Sequence, residues 1–233
     1  AVACGHISAQ DAELTRVKQN FIRLIGNDGN GQKLLHAVLK DLPREETASD
    51  QMVVELFQRQ PSQQASIQKY LSEQTAEGTW PDINYQDRKR SGWEPRVHTE
   101  RILELTKQYA SPQSPYYHSD QVEASIHKAL RWWFTTKPVC PNWWYNQIGV
   151  PKTLGNVFLL FEPRLTAEER QGAIEVMNHS RFGMTGQNKV WLAGNVLVRA
   201  LLQEDKELVR QARDTIMSEI VTGQAEGIQP DWS

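Results

Sequence analysis

The chain has 233 residues, 39% of them hydrophobic and 23% charged, and its 26 basic and 28 acidic side chains leave a net charge of −2. That is the composition of one globular domain or two small ones, and its even charge balance excludes a global attraction to nucleic acid or to a membrane surface. No apolar run approaches the roughly 20 residues needed to cross a bilayer.

In chain order the dominant period is helical. The opening Ala1-Val2-Ala3-Cys4-Gly5 reads equally as the remnant of a trimmed export signal or as a plain chain end. Leu14, Val17, Phe21, Leu24 and Ile25 then share one face of a first helix, which Gly26-Asn27-Asp28-Gly29 ends. Helical patterning continues over 31–41, 50–72, 97–110, 119–134, 148–161, 166–178, 188–203 and 205–222, with prolines 43, 61, 112, 115, 138, 141 and 163 in or beside the breaks. Thr166 with Glu169 three residues later has the form of a capping box. No alternating strand series and no fixed-period repeat is visible, so the expected class is all-α, with paired antiparallel helices forming a bundle, solenoid or toroid. The pattern fades near Thr222-Gly223, and Gly227-Ile228-Gln229-Pro230-Asp231-Trp232-Ser233 follows without a polar tail. A chain interrupted within its domain is expected to look like this.

Two long irregular stretches, 78–93 and the region around 141–144, interrupt the helices, and such loops on a helical frame commonly carry function. The six histidines have no metal-ligand spacing, and Cys4 and Cys140 form no zinc ribbon or disulfide framework, although a single bridge stays open. No phosphate-binding loop or nucleophile elbow occurs, and no cofactor or metal is expected. Asn178-His179-Ser180 fits the common glycosylation pattern.

Eight tryptophans are many for this length. Trp143 and Trp144, bracketed by Asn142 and Asn146, suit a sugar ring stacked on indole with hydroxyls bonded by amides; plugging a helix junction is the rival reading. In Phe182-Gly183-Met184-Thr185-Gly186-Gln187-Asn188-Lys189-Val190-Trp191, a glycine-flexed turn sets Asn188 at the mouth of a helix, as an N-cap, a ligand group or both. Arg88, Lys89, Arg90, Arg96 and Arg101, interleaved with Trp80, Tyr85 and Trp93, form either a solvated face or one wall of a groove for an acidic polymer. Asp82 and Asp87 are candidates for a hydrolase carboxylate pair, or else turn formers and arginine partners.

Three segments in order carry a resemblance: Asn142-Trp143-Trp144-Tyr145-Asn146-Gln147-Ile148-Gly149-Val150-Pro151, Thr185-Gly186-Gln187-Asn188-Lys189 and the segment Gly227 to Ser233. From about residue 75 to its end the chain resembles the catalytic helical domain of the bacterial polysaccharide lyase family that includes chondroitin AC, hyaluronate and xanthan lyases. Its 78–93 loop is similar to that of the chondroitin and hyaluronan members. The resemblance implies an incomplete (α/α) toroid, residues 1–233 being its N-terminal portion, with the remaining helices and C-terminal β-sheet domains absent.

The family also implies a secreted or periplasmic bacterial enzyme that cleaves a uronic-acid glycosaminoglycan by β-elimination. Trp143, Trp144 and Phe182 would match its aromatic patch and Asn188 its carboxylate-binding asparagine; Asn142 and Asn146 are expected on the substrate from their own place beside the tryptophans. The family's histidine and tyrosine, base and acid, follow the Gln-x-Asp-x-Ser segment, and His98, His118, His127 and His179 do not lie in that motif. The expected partners are therefore the acidic polysaccharide and the remainder of the same lyase, possible as a second chain, with no nucleic acid and no membrane. Two rivals make different predictions: a non-catalytic helical module that binds acidic polysaccharide, and a toroid glycoside hydrolase using Asp82 or Asp87.

Overall fold

The structure, a computed structural model, describes residues 9–25 and 63–219. The expected helix over 31–41, most of that over 50–72, Cys4 and the segment from Gly227 to Ser233 lie outside the described residues. Within them there are eight α-helices and no strand. They are α1 (Ala9–Ile25), α2 (Gln63–Glu73), α3 (Arg96–Ala110), α4 (Asp120–Thr136), α5 (Val150–Phe161), α6 (Ala167–Met177), α7 (Gly186–Gln203) and α8 (Lys206–Met217). A π-helical turn (Tyr145–Gly149) leads into α5, and a 3₁₀ turn (Glu162–Arg164) follows it.

Helix ends follow side-chain chemistry. The Thr166 hydroxyl accepts from Glu169 N–H while the Glu169 carboxylate accepts from Thr166 N–H, so the expected capping box opens α6. Asp205 caps α8 by accepting from Leu208 N–H. Helix α5 is buried nearly all round, by Val150, Leu154, Val157, Phe158, Leu159 and Phe161, and it packs against α1, α3, α6 and α7. A helix buried on most of its faces belongs at a centre. Helix α8 carries a single apolar stripe and packs on α7. The pairing of Ile148 with Asn195 and of Gly155 with Val198 runs α5 and α7 in the same direction. Their N-termini therefore lie at one end of the molecule, with α6 returning between them.

The 78–93 loop departs from its expected role. Trp80 and Trp93 are fully buried, and each indole N–H reaches a backbone carbonyl, Trp80 to Tyr70 at 2.9 Å and Trp93 to Asp87 at 3.2 Å. They plug the frame and do not line a groove. Gly78 turns the loop at φ +93, where a Cβ would lie 2.4 Å from the Lys128 carbonyl oxygen. Arg101 is buried and forked on Asp82 at 2.8 and 2.6 Å, beside the faces of Tyr70 and Trp80. Arg96 pairs with Glu100 and Lys89 with Glu94. The proposed basic wall is thus mostly internal or paired, leaving Arg88 and Arg90 exposed.

Candidate active-site cleft

The segment before α5 is built by side chains holding its own backbone. The Asn142 carbonyl accepts from Trp144 N–H at 3.0 Å, and its amide donates to Arg90 O at 3.0 Å. Asn146 clamps Cys140 from both ends, accepting its N–H at 2.9 Å and donating to its carbonyl at 2.8 Å. Both asparagines, expected on the substrate, are engaged in fixing the turn. Cys140 is a free, buried thiol that accepts from Asn142 N–H. In the π turn the Gln147 carbonyl takes the Ser180 hydroxyl at 2.5 Å, and the Ile148 carbonyl takes the buried Asn195 amide at 3.2 Å. Such side-chain donors satisfy carbonyls that a regular helix would pair internally.

On this base stand the aromatics. Trp143 is 40% exposed. Trp144 is half-buried, edge-on to Tyr145 at 5.5 Å and to Trp191 of α7 at 5.8 Å. Tyr145 in turn accepts from Gly92 N–H and packs on Trp93, which ties the platform to the loop plug. Lys152 sets its ammonium 4.8 Å over the Trp191 ring. Trp191 and Lys152 carried no assigned role at the sequence level; the spacing of Trp191 three residues after Asn188, on one helix face, is the signal that points to it.

Asn188 is not the N-cap of α7. Thr185 holds that position and Asn188 is the third helical residue, so its amide is free of capping duty. Among the described residues the Asn188 side chain makes no hydrogen bond, and it sits one turn from the tryptophan that meets Trp144. The Glu219 carboxylate lies at the same turn, 2.6 Å from Lys189 Nζ and 2.8 Å from Gly186 N–H. The Lys189 hydrogen bond, then the Gly186 N–H, hold its carboxyl below the ordinary glutamate range. Phe182 is 39% exposed on the turn before α7, and among the described residues no ring contact joins it to Trp143 or Trp144. A cavity of about 540 Å³ takes in Asn146, Gln147, Val150, Val176 and Arg181 but none of Trp143, Trp144, Phe182 and Asn188.

The other titratable candidates have structural partners. Both Asp87 oxygens accept backbone N–H groups, from Lys89 and Glu94. The Glu94 N–H foremost holds its carboxyl below the usual range, as the Arg101 fork does for Asp82. A hydrolase acid needs the opposite shift. His98 is fully buried between Tyr85 and the Ala129 carbonyl, and burial pushes its pKa down to about 3. His127 Nδ1 donates to Glu169 at 2.7 Å. Among the described residues no group of three or more His, Cys, Asp or Glu side chains is placed to hold a metal, and no helix is long and apolar enough to cross a membrane.

The chain is similar in sequence and fold to known proteins. The family described as "Polysaccharide lyase family 8, N terminal alpha-helical domain" matches residues 43–233. Chondroitinase-AC of Pedobacter heparinus is 29% identical over 178 residues, covering 71% of this chain and 24% of that protein. Hyaluronate lyase HylB of Enterococcus faecalis is 24% identical over 145 residues, 50% of this chain and 14% of that protein. A chondroitinase AC lyase structure, from work on its oligosaccharide complexes, superposes with a TM-score of 0.68 at 28% identity, over 75% of this chain and 27% of that one. The Paenibacillus xanthan lyase structure gives 0.71 at 17% identity, over 95% of this chain and 20% of its own, and so speaks to the fold alone. The shared fold is the all-α helical toroid, of which this chain forms part. The chain spans about a quarter of the length of chondroitinase AC.

Proposed function

Because the chain belongs to polysaccharide lyase family 8, we propose that it supplies the sugar platform and the carboxylate-neutralising amide of a secreted bacterial lyase that cleaves uronic-acid glycosaminoglycan, of the chondroitin or hyaluronan type, by β-elimination. One observation carries the reading. The Asn188 amide has no partner among the described residues and stands one helical turn from Trp191, which packs on Trp144.

The chemistry explains why such an amide is useful. Elimination breaks the C5–H bond of the uronate, forms the C4=C5 double bond and expels the glycosidic oxygen from C4. The C5 proton is α to a carboxylate, whose negative charge makes it a poor stabiliser of the developing carbanion. A neutral donor fixed on the carboxylate disperses that charge in the transition state and is typically worth about 3 kcal/mol. Asn188 takes this role, Trp143 and Trp144 stack the neighbouring rings, and Phe182 borders the same turn. Asn142 and Asn146 act indirectly, by holding the platform. Lys152 adds a cation beside it, suited to an acidic polymer.

Base and acid, each contributing roughly 10²–10⁴-fold, come from the part of the relatives' length that this chain does not span. His98 is held neutral in the core and His127 is bound to Glu169. The test is product analysis of the full-length lyase on chondroitin sulfate and hyaluronan. Absorbance of the unsaturated uronide should rise in step with new chain ends. New reducing ends without the chromophore would mean hydrolysis, and saturable binding without cleavage would mean a binding module.

A further inference from the structure

The first turn of α7 is closed from outside. Thr185 stands at the N-cap position without a side-chain capping bond. Met184 and Gly186 flank it at φ +62 and +58, and residues 181–185 are exposed. A helix start is ordinarily closed by its own Ser, Thr, Asp or Asn. Here the carboxylate comes from Glu219, beyond the end of α8, whose two oxygens accept from Gly186 N–H and Lys189 Nζ. These contacts bracket Gln187 and Asn188. Among the described residues no other side-chain hydrogen bond reaches residues 184–189, and the Glu219 carboxylate is largely shielded from solvent, its side chain 14% exposed. A charge-assisted pair of bonds in that setting is strong enough to set geometry.

We propose that Glu219 is a positioning residue of the lyase site, fixing the first turn of α7 and thereby the direction of the Asn188 amide. This rests on the reading of Asn188 as the carboxylate-binding group. Misplacement of a reacting contact by about 1 Å can cost on the order of 10²-fold in rate, so the tether has leverage although Glu219 touches no substrate.

The experiment compares Glu219→Ala and Glu219→Gln in the full-length lyase, each also made in an Asn188→Ala background. Glu219→Ala should lower kcat about tenfold or more with little change in KM. Glu219→Gln, whose amide oxygen still accepts from Gly186 N–H but whose NH2 faces the Lys189 ammonium, should recover part of the loss. In the Asn188→Ala background Glu219→Ala should have almost no further effect, since residues that act as a unit are not additive. Hydrogen exchange of the amides at 186–190 should quicken most in Glu219→Ala and less in Glu219→Gln, a readout independent of turnover. An equal loss in both backgrounds, or unchanged kcat in Glu219→Ala while Asn188→Ala is impaired, overturns the role of Glu219 and leaves Asn188 standing. Unchanged kcat in Asn188→Ala overturns the reading beneath it.

Discussion

Replacing Gly149 with alanine tests how Trp144 is seated. Gly149 has ordinary helical angles, φ −62 and ψ −54, so alanine meets no backbone strain and gains about 1 kcal/mol of helix propensity. The consequence is steric: its Cβ would lie 2.7 Å from Trp144 Cζ3 and 3.3 Å from Cε3, where ordinary contacts begin at 3.4 Å. The indole must swing away, weakening its edge contacts with Tyr145 and Trp191, each worth about 0.5–1.5 kcal/mol. Overpacking adds about 1–3 kcal/mol. Net of propensity, stability should fall by about 1–5 kcal/mol. If Trp144 stacks a sugar ring, loss of about 1.4 kcal/mol of binding raises KM roughly tenfold, with kcat changed far less because Asn188 stays in place. Urea denaturation and initial rates over a range of polysaccharide concentrations measure both quantities. An unaltered KM in a variant whose near-ultraviolet dichroism shows a displaced tryptophan would refute the stacking role.

Asn146→Ala removes both clamps on Cys140 and leaves its backbone groups unpaired, so stability should drop by about 1–3 kcal/mol and KM should rise through a loosened platform; calorimetry with kinetics checks both. Thr166→Ala abolishes the capping box that opens α6 and should cost about 1 kcal/mol at unchanged kcat/KM. The buried His98 has its pKa lowered from 6.5 to about 3, so below pH 6.5 the unfolded chain binds the extra proton. Its contribution is complete above pH 6.5 and declines as pH falls towards 3, by about 1.4 kcal/mol per unit. Urea titrations across that range should show the slope, and His98→Gln should reduce it to what carboxylates such as Asp82 and Asp87 contribute.

The helical frame was legible because apolar period, prolines and caps all act within a few residues of each other. Thr166 and Glu169 even fixed a helix start to the residue. The misread parts depend on distant partners. Trp80 and Trp93 have the composition of an exposed sugar-binding loop, yet their indole N–H groups find carbonyls that only the folded chain supplies. Arg101 belonged to a charged run in sequence, but Asp82 draws it inward. Asn142 and Asn146 show a deeper ambiguity, since an amide that suits a sugar hydroxyl suits a backbone N–H equally well. Helix α7 starts at Gly186, whose N–H is taken by Glu219, 33 residues later, so local capping rules placed the start wrongly at Asn188. The π turn has no periodic signature of its own and is fixed by Ser180 and Asn195 from other segments.

The central claim is that a neutral amide at position 188 stabilises the eliminating transition state. Its most direct test is the kcat of full-length Asn188→Ala, followed by the unsaturated product on chondroitin sulfate and hyaluronan. The account predicts a loss on the order of 10²–10³-fold, about 3–4 kcal/mol, with KM nearly preserved. A kcat within a few-fold of wild type in a correctly folded variant would contradict it.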